Sequence, residues 1–475
     1  RGSKTMRVAY LLLPALMTLP SLANAQSELI ALQPDRILSG ETLYESGEWL
    51  LIQEGAVVEV VLTEAELPPE ADKQRLVGKT IIPALIDAHA HLGYQSVNSW
   101  GAENYNEANL LDNLSQYAYY GFSTVFSAGS DPVALINELR ATIDLESLPV
   151  ATPLAAYGVA PTGYGPNNSF LDEIRAVEVE LKTQILFGVD QPSDIQALIT
   201  AIEPKQDAII KIWVDDRAGT QPKLAQRLYT ELISQANQQG IKVVAHQQDS
   251  EDTARLVQAG VAGFLHGRFE DEISEDLSRL LAESQTFVIP NLGLSLLRRM
   301  TIAEDPLLYE TLPAPTLSRL ANRVFASTDD ALSASGSNNQ LERQLELLIE
   351  NLEPSIRKSF ALAIKRRVPI ILGTDAGALP DHFFGYTGHK ELEIFVALGM
   401  SPEQAIAAAT SAAAAQLGLN DRGLLEKGRR ADFLILNSNP LENIRATQDI
   451  HSVFLLGKEL DRAAIIERLM QDTRN

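Results

Sequence analysis

Short apolar runs alternate with amphipathic stretches through the middle of the chain, a pattern that predicts parallel βα units. The first run, Ile81 to Ile86, leads into two histidines one residue apart, His89 and His91. It is followed by Phe122 to Ser127, Val150 to Tyr157, Ala208 to Val214, Ile241 to Ala245, Val261 to Leu265, Thr286 to Pro290 and Pro369 to Gly373. The runs are largely continuous rather than alternating, as expected of strands covered on both faces. Eight such units predict an α/β fold, a (β/α)8 TIM-type barrel over residues 81–420, whose catalytic groups would sit at the carboxyl ends of the strands. One late helix is marked by Ser401 as N-cap, Pro402 at its first position, Gln404 completing a capping box and Gly418 past its end, which supports the boundary near 420.

Outside this region the pattern changes. Leu29 to Leu32, Trp49 to Ile52 and Ala56 to Leu62 are separated by Gly, Pro and acidic residues, and similar runs recur at Ala431 to Leu436 and His451 to Leu456. A small β-sandwich domain built from both chain ends, residues 26–80 plus 421–475, is the expectation. Between the seventh and eighth strands, residues 296–367 form a long polar and helical connection. It reads equally as a lid or as a contact in a homo-oligomer.

Composition narrows the choices. A net charge of −23 argues against nucleic acid or an anionic membrane as partner, and the absence of cysteine removes disulfides, thiolate ligands and a cysteine nucleophile. A short tag remnant, then Lys4 and Arg7, an apolar segment from Val8 to Leu19, and Ala23 to Ala25 have the order of a secretory signal peptide within residues 1–25. Cleavage after about Ala25 would leave a periplasmic or secreted protein. The apolar segment, interrupted by Pro14, is shorter than the roughly 20 residues of a span, so no membrane attachment is expected after cleavage.

The strand ends carry the chemistry. Residues i and i+2 of a strand share a face, so His89 and His91 offer two imidazoles from one rigid element. Lys211 lies within the apolar fourth run; the fifth ends at His246, the sixth at His266 and the eighth at Asp375. Four of the 7 histidines thus join one aspartate and one buried lysine at the same end of the predicted barrel. Such ligands suit zinc and neighbouring metals, and six groups exceed what one tetrahedral ion uses, so two divalent ions, most simply Zn2+, are expected. A desolvated neutral lysine can take up carbon dioxide to form a carbamate whose two oxygens resemble a carboxylate. The bland alternative is a strand lysine paired with Asp215, Asp216 or Asp375. Arg217 and Arg268, just after proposed ligand strands, are candidate anchors for a substrate carboxylate, with surface salt bridges to Asp216 or Glu270 as the rival reading. His382 and His389, in the eighth loop, read mainly as solvated, with His382 also a candidate substrate contact.

These residues resemble the amidohydrolase superfamily, in which a barrel carries a His-x-His on its first strand and a binuclear metal centre. The matching positions are His89, His91, Lys211, His246, His266 and Asp375, and the segment Gly423 to Asn437 is similar to the family's return into its small β domain. The stretch Lys211 to Arg217 is similar to the branch of imidazolonepropionase-like proteins and Xaa-Pro dipeptidases. The resemblance implies that His89, His91 and Asp375 hold one metal and His246 and His266 the other, bridged by carboxylated Lys211 and a hydroxide. It implies hydrolysis of an amide, imide or peptide C–N bond in a small-molecule substrate, such as a dipeptide or N-acyl amino acid, with Asp375 moving the proton. The same centre would serve a lactone, carboxylic ester or phosphotriester, and a non-catalytic scaffold is the remaining class.

Overall fold

The computed structural model describes residues 29–143, 150–202, 208–266, 272–300, 302–322 and 339–471. The signal-like segment and Arg268 lie outside the described residues. The architecture is α/β: strands Leu85–Ala90, Phe122–Ser127 and Thr152–Ala155 form one parallel sheet, and Tyr157–Ala160, Leu186–Gly188, Ile209–Val214, Lys242–Gln247, Gly263–Leu265 and Phe287–Ile289 form a second. Among the described residues these are two sheets of three and six strands and not a closed barrel. Helices cover their outer faces, so even the polar members of Phe122–Ser127 and Ile209–Val214 are buried.

Three details depart from the pattern read in the sequence. The first apolar run is split: Asp72–Pro83 belongs to a different sheet, and the chain crosses into Leu85–Ala90 at Ala84, whose N–H donates to Asp432 O. The third run is divided at Ala156, its first half pairing with Phe122–Ser127 and its second with Ile209–Val214. Pro369 to Gly373 forms no strand of its own, yet it is held from both sides. Ile371 N donates to Val288 O, Val288 N to Pro369 O, and Ala88 N to Leu372 O.

The predicted late helix is two helices, Pro402–Ala408 and Ser411–Leu417, with the capping box at Ser401 and a left-handed Gly418 at the far end as expected. The break at Ala409 has a physical reason. It frees the carbonyls of Ala408 and Ala409 to accept from Leu372 N and Ile86 N, tying the helices to the two strand segments that carry Asp375 and His89.

Both chain ends meet in one eight-stranded mixed sheet. Phe433–Leu436 runs antiparallel to Asp72–Pro83, pairing Leu434 with Ile82. Its two faces bury separate clusters, one around Leu50, Phe433 and Phe454 and one around Trp49, Leu51 and Leu67. The connection at 296–367 is helical where described and packs back onto the chain. Tyr120 Oη donates to Leu307 O at 2.8 Å, Thr316 Oγ1 to Val97 O at 2.8 Å, and Arg319 pairs with Asp381 at 2.7 Å. No helix among the described residues is long and apolar enough to cross a membrane.

Candidate metal centre

Strict alternation would leave His89 facing away from Ala88, which lies in an apolar cluster with Ile86 and Val244. A bulge intervenes: Asp87 pairs with Val125 but Ala90 with Ser127, three steps against two. One extra residue reverses the facing of all that follows, so Asp87 points to the helices while His89 and His91 point inward. Asp87 is then fully used, accepting from Tyr117 Oη at 2.7 Å, Thr374 Oγ1 at 2.6 Å and the backbone N–H of His89 and Thr374. Burial nevertheless pushes its carboxyl up to about 6.

His266 and Asp375 are aimed by the same kind of local exception. Leu265 pairs with His246 and shares its face, so an extended His266 would point the other way. His266 and Asp375 instead adopt φ of 69° and 63°, left-handed values uncommon for residues with a Cβ. The result is a tight group. His89 Nε2 lies 3.2 Å and His91 Nε2 2.9 Å from Asp375 Oδ1, and His266 Nε2 lies 3.7 Å from Asp375 Oδ2. The rings of His246 and His266 are 4.8 Å apart, and His89, His266 and Asp375 each offer an atom within 4.8 Å of the others. Lys211 stands two residues before Trp213, which pairs with His246, and is 1% exposed. Its Nζ sits 5.3 Å from the Trp213 ring centroid.

Neighbours outside this group orient the imidazoles. His91 Nδ1 is 2.6 Å from Ser130 Oγ, which donates to Asp131. His246 Nε2 is 3.0 Å from Asp215 Oδ2. A carboxylate only accepts, so the proton is on Nε2 and the lone pair on Nδ1. That Nδ1, with His89 Nε2 and Asp375 Oδ1, is buried and receives no hydrogen bond. His89 Nε2 and Asp375 Oδ1, 3.2 Å apart, face each other without a donor, which is costly unless a cation lies between them, and the His and Asp donor set is the one zinc and its neighbours take. The residues present fit a divalent metal.

Electrostatics point the same way. Burial holds His89 well below the ordinary histidine range and His246 at about 4, so both are neutral near pH 7, the form in which an imidazole can take a metal. Lys211 is lowered to about 7, chiefly by burial, with Asp375 opposing and Arg217 assisting.

Three sequence readings are corrected. Asp215 pairs with His246 and with Arg217 Nη1 at 3.0 Å, so it is no partner for Lys211, and Arg217 has a buried carboxylate beside it rather than a surface pair with Asp216. His382 is buried, not solvated: its Nδ1 lies 3.3 Å from Asp375 O and its Nε2 has no partner. His389 is buried too, 2.8 Å from Tyr120 O and 3.1 Å from Thr447 Oγ1, and burial lowers it from 6.5 to about 4. The unfolded chain therefore binds this proton first. The stabilisation is complete above about pH 6.5 and is lost as pH falls towards 4, by up to about 3 kcal/mol. Urea midpoints of His389→Gln should fall less steeply than the parent's over that window; an unchanged slope would assign the acid sensitivity elsewhere.

A family model described as the amidohydrolase family matches residues 80–460. The chain belongs to the amidohydrolase family. Among curated proteins it is similar to an imidazolonepropionase of Deinococcus radiodurans, 29% identical over 153 residues, which is 30% of this chain and 38% of that protein. The match thus spans less than half of that relative. Among solved structures, phenylurea hydrolase B has a TM-score of 0.67 at 18% identity, over 92% of this amidohydrolase and 98% of that chain. A Xaa-Pro dipeptidase with methionine bound in its active site has a TM-score of 0.62 at 20% identity, over 91% and 100%. At these identities the likeness is one of fold.

Proposed function

We propose that this amidohydrolase is a binuclear metal-dependent hydrolase of an amide, imide or peptide C–N bond, acting on a dipeptide or N-acyl amino acid outside the cytoplasm. The observation that carries the reading is the grouping of His89, His266 and Asp375, whose ligand atoms lie within 4.8 Å of one another, with acceptor atoms of His89 and Asp375 buried and unpartnered. The strand ends are read as one (β/α)8 barrel with a terminal β-sandwich domain, a reading supported by the backbone bonds from Pro369–Asp375 to both neighbouring segments.

His89, His91 and Asp375 would hold one ion, and His246 and His266 the second. When bound, two divalent ions such as zinc acidify water and polarise a carbonyl. The protein's own groups do the rest. Lys211, neutral for part of its time at pH 7, would attack carbon dioxide through Nζ and release a proton, and the resulting carbamate would offer one negative charge shared by two oxygens as a further ligand. Asp375 takes a proton from the attacking water and passes it to the leaving nitrogen. His382, with Nε2 unpartnered beside Asp375, is the candidate contact to the substrate.

The test is elemental analysis together with a hydrolysis panel of dipeptides, N-acyl amino acids, lactones, esters and phosphotriesters. About two zinc ions per chain and turnover of the C–N substrates are expected; one ion or none, or turnover of the esters alone, overturns the reading. Arg217, whose Nε is buried without a partner, is the candidate carboxylate anchor among the described residues. Arg217→Met should raise KM for a carboxylate-bearing substrate about ten- to a hundredfold more than for its amidated analogue, the scale of one charged hydrogen bond. Equal effects on the two would leave Arg217 as a support for Asp215. Arg268 keeps the same assignment from its place after His266.

A further inference from the structure

Asn291 follows the strand Phe287–Ile289, is completely buried and adopts a left-handed backbone with φ of 50°. Its amide is read without ambiguity. The backbone N–H of His266 lies 3.1 Å from Oδ1, and an N–H can only donate, so the atom it faces is the oxygen. The same Oδ1 is 3.0 Å from His89 Nδ1. An amide oxygen only accepts, so His89 carries its proton on Nδ1 and turns a bare Nε2 lone pair towards Asp375. Asn291 Nδ2 has no partner, although burying an amide donor unpaired is costly. The position therefore keeps an amide for its oxygen.

The side chain is itself immobilised. Leu292 N and Gly293 N donate to the buried Glu391 carboxylate at 2.9 and 2.6 Å, fixing the turn in which Asn291 sits. One oxygen thus spans two candidate ligands: it sets the tautomer of His89 and tethers the backbone of His266.

We infer that Asn291 is a positioning residue that locks His89 in the Nδ1–H tautomer and keeps its Nε2 available to metal in register with His266. The metal half of this inference rests on the proposed function; the tautomer half does not. A ligating histidine whose other nitrogen is held this way binds more tightly, and loss of such a partner typically weakens metal binding about 10- to 100-fold.

The experiment uses 15N-histidine spectra of the metal-free protein and zinc affinity measured against a chelator, for the parent, Asn291→Gly and Asn291→Asp. Glycine removes the amide without straining a left-handed position, and aspartate retains acceptor oxygens. The parent should show His89 as the Nδ1–H form. Asn291→Gly should lose that signature and bind zinc about 10- to 100-fold more weakly, and Asn291→Asp should retain both properties. An unchanged His89 signature in folded Asn291→Gly overturns the inference, as does a changed signature with unchanged zinc affinity. If the parent binds no zinc, the proposed function fails while the spectra still decide the tautomer.

Discussion

Asp375→Asn is expected to fold and to lose at least about a hundredfold in turnover, the scale of a general acid-base contribution with a weakened ligand added. The expectation follows from geometry. Asp375 lies within 4 Å of His89, His91 and His266, and its conformation is set by strand contacts, through Thr374 N and Asp375 N donating to His89 O, rather than by its charge. An amide keeps the shape, but it cannot hold a proton in transit, and it turns a donor towards nitrogens that should be ligands. Steady-state turnover with metal content measured on the same samples separates the two losses. Near-normal turnover with both metals retained would remove Asp375 from the proton path.

Lys211→Ala should abolish most activity and release part of the bound metal, and a short carboxylic acid added to the mutant should restore a fraction of both. Lys211 is buried in a strand whose neighbours are apolar, so a permanent ammonium there is expensive, and burial brings it to about 7. A group poised between amine and ammonium can be carboxylated; one fixed by an ion pair cannot. Mass spectrometry of the native parent should show an added carbon dioxide that acid treatment removes. Full activity in Lys211→Ala would make the lysine a structural residue.

The apolar runs predicted most strands closely, because a strand covered on both faces must be apolar throughout, and Phe122–Ser127 was found at its predicted bounds. The His-x-His spacing placed His89 and His91 on one face whichever way that face pointed. The facing itself came from the bulge between Asp87 and Ala90, and His266 was turned by a single backbone dihedral. Neither leaves a mark on residue type, since left-handed positions are usually signalled by glycine and both sites carry functional side chains. Asn291, Ser130 and Asp215 were missed as orienting groups for a related reason. Each acts through a contact between strands far apart in sequence, and an isolated Asn or Ser after an apolar run reads as turn chemistry. His382 was misread because a polar loop rich in Gly, Pro and Asp looks solvated, whereas this one is covered by the helical connection through Arg319 and Asp381.

The crossing at Ala84 has a consequence for how the protein is made. Ile81 and Ile82, which lead directly into the strand bearing His89, pair with Ile435 and Leu434. Because the chain emerges from its N-terminal end, whether in synthesis or in export, the early strands must wait for those partners. Until then an apolar edge stands open beside the segment that will bear His89, a natural target for chaperone capture. A chain ending before Phe433 should therefore stay protease-sensitive around residue 80.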